Sequence, residues 1–210
     1  MTMRRSDSSR VPSRRDIGAL ALSALMAGIP SLAFAQAVDR LGVPGPLSFG
    51  GTSYRLAWSS QPSPGYDKQE YLPAGEALGR HTHMLLVEFL DTGIGLREAL
   101  AAQVRSLNQR KGKDPLFNMA IMENKQTGEV MLDFLISAHE RGQTIAEWNA
   151  YRYVPRKGAG GRDAVLLFAI SRRAYGDDAI RSFLGDLKSS RSGEVGRLAR
   201  APLPEIKLPR

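Results

Sequence analysis

The sequence predicts an α+β fold: an antiparallel sheet of about six or seven strands, in the order β-β-β-α-β-β-β-β-α, packed with two main helices. Three observations predict it. Seven short runs are rich in β-branched, aromatic and aliphatic residues. Two other segments repeat apolar residues at helical spacing instead. The links in the second half are too short for crossovers, so neighbouring strands there must run antiparallel.

SYRLAWSS (53–60) and DKQEYLP (67–73) read as two strands around a Pro/Gly loop at 62–65. HMLLVEFL (83–90) is a strongly β-type run. Leu96, Leu100, Val104 and Leu107 then recur at helical spacing with Arg97, Glu98 and Arg105 outside, predicting a helix over 94–110 that Asp114-Pro115 ends. Four strand-like runs follow: LFNMAIME, EVMLDFLISA, IAEWNAYRYV and AVLLFAISRR. Asn124-Lys125-Gln126-Thr127-Gly128 joins the first two as a hairpin, and the glycine-rich KGAGGRD joins the last two. Ile180, Phe183, Leu184 and Leu187 predict a final helix, with Asp177 or Asp178 as its cap. In AVLLFAIS both alternating sets are apolar, which places that strand centrally with both faces covered. Two helices cover only part of such a sheet, so part of one face is expected to stay open.

Composition fits an ordinary globular chain of 210 residues, 42% hydrophobic and 24% charged. The chain has no cysteine, which excludes disulfides, thiolate nucleophiles, Cys-ligated zinc, iron–sulfur clusters and a lipidated cysteine. At the N-terminus, Arg4, Arg5, Arg10, Arg14 and Arg15 precede an uncharged run from Ile17 to Ala35 that ends in Ala33-Phe34-Ala35. A basic region, an apolar region and a small-x-small site make an export segment, with cleavage after Ala35 or Ala37. Gly18, Gly28 and Pro30 leave the run too weakly apolar for a stable anchor. Ser13-Arg14-Arg15 resembles the twin-arginine pattern, although Ile17 replaces the commoner Phe or Leu and no Lys follows. The expected partition is an export segment at 1–35, a flexible linker at 36–50, one α+β domain at 51–200 and an extended Pro-rich tail at 201–210. Residues 1–35 carry five Arg and two Asp, so their loss takes the net charge from +8 to +5. With no basic stripe and no stacking motif, nucleic acid is not an expected partner.

The element order resembles the PsbP/Mog1 fold group. The phrases QEYLPAGE (69–76), EWNAYRY (147–153) and SRRAYG (171–176) are similar to those of uncharacterised exported bacterial proteins. No catalytic motif accompanies that resemblance. It implies partner binding or assembly rather than chemistry, and no cofactor is expected.

His81-Thr82-His83 sets two imidazoles at i, i+2, a spacing that can chelate Cu or Zn, with His139 far along the chain. No third ligand sits at a diagnostic spacing, so solvated strand-edge histidines are expected. Asp91-Thr92-Gly93 mimics the aspartic-protease triplet but is read here as helix capping. Gly158-Ala159-Gly160-Gly161 lacks the Gly-Lys-Ser/Thr ending of a phosphate loop, and neither G-x-S-x-G nor S-x-x-K occurs. What remains is a polar set within apolar strands: Glu88, Asn118, Asp133, Glu147, Asn149 and Arg152. Arg152 is expected to pair with Asp133 or Glu147. On the strand 145–154, Trp148, Ala150 and Arg152 share one face, while Glu147, Asn149, Tyr151 and Tyr153 share the other. The second set is expected to bind a ligand or partner on the open sheet face. The resulting expectation is a soluble periplasmic accessory, assembly or binding protein for an envelope protein or small ligand. The alternative is a small exported hydrolase with Asp133 or Glu147 as general base.

Processing gives the first test. Intact mass of material isolated from the cell envelope is expected to show an N-terminus at Gln36 or Val38. A full-length chain held tightly in the membrane would contradict the cleavage.

Overall fold

The computed structural model describes residues 37–140 and 142–208; the expected export segment at 1–35 lies outside the described residues. Eight strands and two helices follow one another as β1 (Leu47–Phe49), β2 (Thr52–Ser63), β3 (Tyr66–Pro73), β4 (His83–Leu90), α1 (Leu96–Asn108), β5 (Asn118–Glu123), β6 (Val130–Glu140), β7 (Gln143–Lys157), β8 (Asp163–Tyr175) and α2 (Asp177–Arg200). They form one antiparallel sheet in the order β1-β2-β3-β4-β8-β7-β6-β5. Two four-strand meanders thus meet at β4 and β8. The register there runs from His83 opposite Arg172 to Leu90 opposite Val165.

The central strand behaves as its composition requires. Ala164, Leu166, Phe168 and Ile170 enter one core layer with Val87, Trp148, Ala150 and the α2 residues Leu187 and Leu198. Val165, Leu167 and Ala169 enter the other, with Leu86, Leu132, Tyr151, Tyr153 and the α1 residues Leu96, Ala99 and Leu107. Each helix therefore covers one face. Neither begins with a side-chain cap: Gly95 and Gly176 hold the N-cap positions. Asp177 and Asp178 instead occupy the first turn of α2, where the helix dipole favours carboxylates.

Three expectations are corrected. The sheet has eight strands because β1 lies inside the segment expected as a flexible linker. That segment is packed: Leu41 and Val43 are buried, and the Arg40 and Leu41 amides donate to Gln69 Oε1 at 2.5 and 3.0 Å. Gln69 Nε2 and the Tyr71 hydroxyl both donate to the Val43 carbonyl, at 3.1 and 2.6 Å. Its prolines and glycines concealed an apolar series, Leu41, Val43, Leu47 and Phe49, that all joins the α2-side core. The C-terminal tail runs without helix or strand but packs too, with Leu203 and Ile206 against that core and the Lys207 amide donating to the Leu41 carbonyl at 2.7 Å. Finally, Arg152 pairs with neither Asp133 nor Glu147. Its guanidinium meets Glu129 at 2.8 Å and donates to the carbonyls of Leu198 and Ala201, closing the C-terminal end of α2.

The open face is corrected at its chosen residues as well. Tyr151 is 6% exposed, Tyr153 3% and Asn149 1%. Tyr151 stacks edge-on against Phe134, with ring centroids 5.1 Å apart. Trp148, fully buried on the other face, donates its indole N–H to Asp133 Oδ1 at 2.5 Å. Trp148→Ala and Tyr151→Ala are each expected to cost about 3–5 kcal/mol in urea unfolding. A Tyr151 variant within about 1 kcal/mol of wild type would show a ring that does not carry core packing.

Candidate functional site

Strand alternation brings Tyr66, Lys68 and Glu70 of β3 to the α1 face, beside Glu88 of β4. Lys68 faces Glu88 across the two strands, and Trp58 of β2 faces Glu70. Lys68 Nζ lies 3.1 Å from Glu70 and 3.7 Å from Glu88, while the Tyr66 hydroxyl donates to Glu88 Oε2 at 2.5 Å. All three charged residues are at most 6% exposed. Burial disfavours a charged Lys68, yet Glu88 and Glu70 together hold its pKa above the ordinary lysine value. Glu70 is pushed up by its own burial in spite of Lys68. The Tyr66 hydroxyl is driven far up by burial and by the Glu88 carboxylate.

Further along the same face, Glu147 of β7 stands opposite Arg173 of β8, and Asn149 stands opposite Ser171. Arg173 reaches Glu147 Oε2 at 2.8 Å, and the Ser171 hydroxyl donates to Glu147 Oε1 at 3.0 Å. Tyr151 and Tyr153 occupy the next two positions on β7. The Tyr153 hydroxyl is raised by burial and by the nearby Tyr151 and Glu88.

His81 adjoins this group just before β4. The Arg173 amide donates to the Thr82 carbonyl at 3.0 Å and the Tyr175 hydroxyl to the His81 carbonyl at 2.7 Å, tying the segment to the end of β8. The imidazole is 1% exposed, and neither ring nitrogen has a hydrogen-bond partner among the described residues. Asn149 Oδ1 is likewise buried with no hydrogen-bond partner among the described residues. Burial, then the Arg173 charge, pushes the His81 pKa down to about 4, so the ring is neutral.

The sequence-derived set Glu147, Asn149, Tyr151 and Tyr153 therefore does share one face, the α1 side of the sheet, but Asn149, Tyr151 and Tyr153 are buried there beside a charged cluster. Tyr66, Lys68, Glu70, His81, Ser171 and Arg173 were not foreseen there. The pattern Y-D-K-Q-E in β3 alternates Tyr, Lys and Glu on one side, and it reads as a solvated strand unless β3 is known to lie inside the sheet.

The two histidines do not converge. His81 precedes the strand, so the alternation expected of His81 and His83 does not apply. His83 is half exposed, with Nδ1 2.8 Å from the Thr82 hydroxyl and 3.4 Å from Glu76. His139 is exposed on β6, and no group of three metal-ligating side chains occurs among the described residues. Asp91 caps no helix. It accepts from Arg162 Nε at 2.7 Å and the Ala159 amide at 3.1 Å, and the Arg162 hydrogen bond holds its carboxyl below the usual range. This pins the β7–β8 hairpin, and it needs glycine at 158, where a Cβ would stand 1.8 Å from Asp91 Oδ1. Both candidate general bases are committed: Asp133 to Trp148 and Arg191, Glu147 to Arg173 and Ser171.

A protein-family model matches residues 41–203. No curated protein matches the chain. A solved structure described as LpqN involved in cell envelope biogenesis of Mycobacterium tuberculosis is similar at 10% identity, over 79% of each chain, with a TM-score of 0.33. No helix among the described residues is long and apolar enough to cross a membrane.

His81 makes stability pH-dependent with a defined sign. Its folded pKa lies below its unfolded value of about 6.5, so the unfolded chain binds the proton first as pH falls. Its contribution is complete above about pH 6.5 and is lost toward pH 4, in total on the order of 3 kcal/mol. His81→Leu is expected to flatten the pH 6.5–4.5 part of the unfolding free-energy profile. An unchanged slope would mean that His81 titrates alike in both states.

Proposed function

The chain belongs to the family whose model spans residues 41–203, and we propose that it is an exported periplasmic accessory or assembly protein that works by binding a small polar ligand at the α1 face of its sheet. The export part of this reading is supported by the basic, apolar and small-x-small pattern of residues 1–35. Placement in the PsbP/Mog1-like group is supported by the order β-β-β-α-β-β-β-β-α, which the chain presents from β2 onward.

One observation carries the binding reading: His81 and Asn149 bury polar atoms that have no partner among the described residues, beside a charged cluster. Each such atom costs about 1–3 kcal/mol in a folded chain. A ligand that donates to Asn149 Oδ1 and exchanges a hydrogen bond with neutral His81 recovers that cost on binding. Binding is favoured over hydrolysis because Asp133 and Glu147 are each held by an arginine, which a general base would have to leave. It is favoured over protein docking at this face because Tyr151 and Tyr153 are buried and offer no anchor to a large partner.

The test is native mass spectrometry of chain isolated from the cell envelope. Wild type is expected to carry a small-molecule adduct that Asn149→Leu and His81→Leu lose, with the Asn149→Leu melting temperature held within about 4 °C, the shift of roughly 1 kcal/mol. An adduct-free wild type, or an adduct retained by both variants, would remove the site.

A further inference from the structure

The sheet ends on one side in an edge that is apolar, exposed and symmetric. We propose that two copies of this chain pair through β5, antiparallel about a two-fold axis at Ile121, so that their sheets become continuous. This is independent of the ligand reading.

Among the described residues β5 pairs only with β6. Five of its six residues are exposed, and its centre is apolar on both faces. Ile121, 49% exposed, points to the α1 side, and its neighbour Met122, 42% exposed, points to the α2 side. Charged or very short strands are the usual protection of a sheet edge. The opposite edge, β1, has that protection with three residues, whereas β5 has six and a single charge. That charge, Glu123, is already met by Arg97 at 2.6 Å. Both helices lie over β7 and β8. They reach β5 through Arg97 at Glu123 and through Arg191 at Asn118 Oδ1, 3.5 Å away, at its two ends.

The backbone fixes which groups face outward. The Asn124 amide donates to the Glu129 carbonyl at 2.9 Å, which marks that pair as hydrogen-bonded. Antiparallel pairs alternate, so Met122 opposite Met131 and Ala120 opposite Asp133 are also bonded pairs. The amides and carbonyls of Met119, Ile121 and Glu123 therefore point away from β6. These positions are symmetric about Ile121. A two-fold there sets Ile121 opposite its own copy and Met119 opposite Glu123, matching each outward donor to an acceptor. All three project to the α1 side in both copies, so the register preserves the faces. On the other side, small Ala120 meets large Met122. The strand is complementary to itself, which favours a second copy over an unrelated strand. Because β1 is too short to serve as a second acceptor, the contact closes as a dimer and does not propagate.

Sedimentation of the chain isolated from cells, across a concentration series, is expected to show a mass of two copies that dissociates on dilution. Ile121→Lys places like charges opposite each other and is expected to weaken the dimer by about 100-fold or more while the monomer stays folded. Since the chain contains no cysteine, Ile121→Cys gives a second measurement. Cα atoms of a hydrogen-bonded pair lie about 5.5 Å apart, within disulfide reach, so mild oxidation is expected to join two copies at 121. Met122→Cys, whose counterpart is Ala120, is expected to cross-link far more slowly. A single-copy mass at every concentration, or equal cross-linking at 121 and 122, would overturn the pairing.

Discussion

The structure depends on the junction between β4 and β8. Every other strand contact joins neighbours in sequence, through a hairpin or a short link, and closes at little entropic cost. The β4–β8 pairing alone brings two meanders together across the whole length of α1 and three strands. It is made by strands without a solvent face: β4 is buried at seven of its eight positions, and β8 at ten of thirteen. Apolar area removed from water on both sides is what offsets closing so long a loop. Both helices then have somewhere to lie, α1 on one side of β8 and α2 on the other. The two core layers meet their helices over this seam.

Polar groups enter where the apolar seam ends, and each one ties segments that are distant in sequence. Gln69 and Tyr71 hold residues 40–43 against β3. Asp91 holds the β7–β8 hairpin to the end of β4 through Arg162 and Ala159. Arg152 joins β7 to Glu129 and to the end of α2. A buried polar group left unpaired is costly, so these residues select one arrangement of segments more strongly than they stabilise it. Asp133 belongs with them. Placed among apolar neighbours on β6, it is satisfied by Trp148 from the next strand and Arg191 from α2.

Local features of the fold were legible in the sequence for the same reason. The periods of β4, α1, β8 and α2 and the hairpin at 124–128 are set by neighbours a few residues apart. The assignment of Glu147, Asn149, Tyr151 and Tyr153 to one face follows from alternation alone. Whether that face is open depends on what α1 covers and on how the sheet curls, which no local pattern encodes. The packing of Leu41 and Val43 was hidden likewise, since Pro44, Gly45 and Pro46 read as a linker until Gln69 is seen opposite them. Nor does the order of residues around Lys68 say that β3 is an inner strand. That follows from β2 and β1 lying outside it, and β1 is only three residues long.

The charged cluster on the α1 face has its own internal arithmetic. Lys68 and Arg173 bring two positive charges, and Glu70, Glu88 and Glu147 bring three carboxylates, all at a face that water hardly reaches. An uneven count is expensive in a low-dielectric region. Burial pushes the Glu70 carboxyl up in spite of the Lys68 charge beside it. Burial, and then the Arg173 charge, keeps His81 neutral beside this cluster. A neutral imidazole has one donor and one acceptor to offer, and Asn149 adds an acceptor nearby along β7. Each charge of the cluster faces an opposite one, while the His81 ring nitrogens and Asn149 Oδ1 have no hydrogen-bond partner among the described residues.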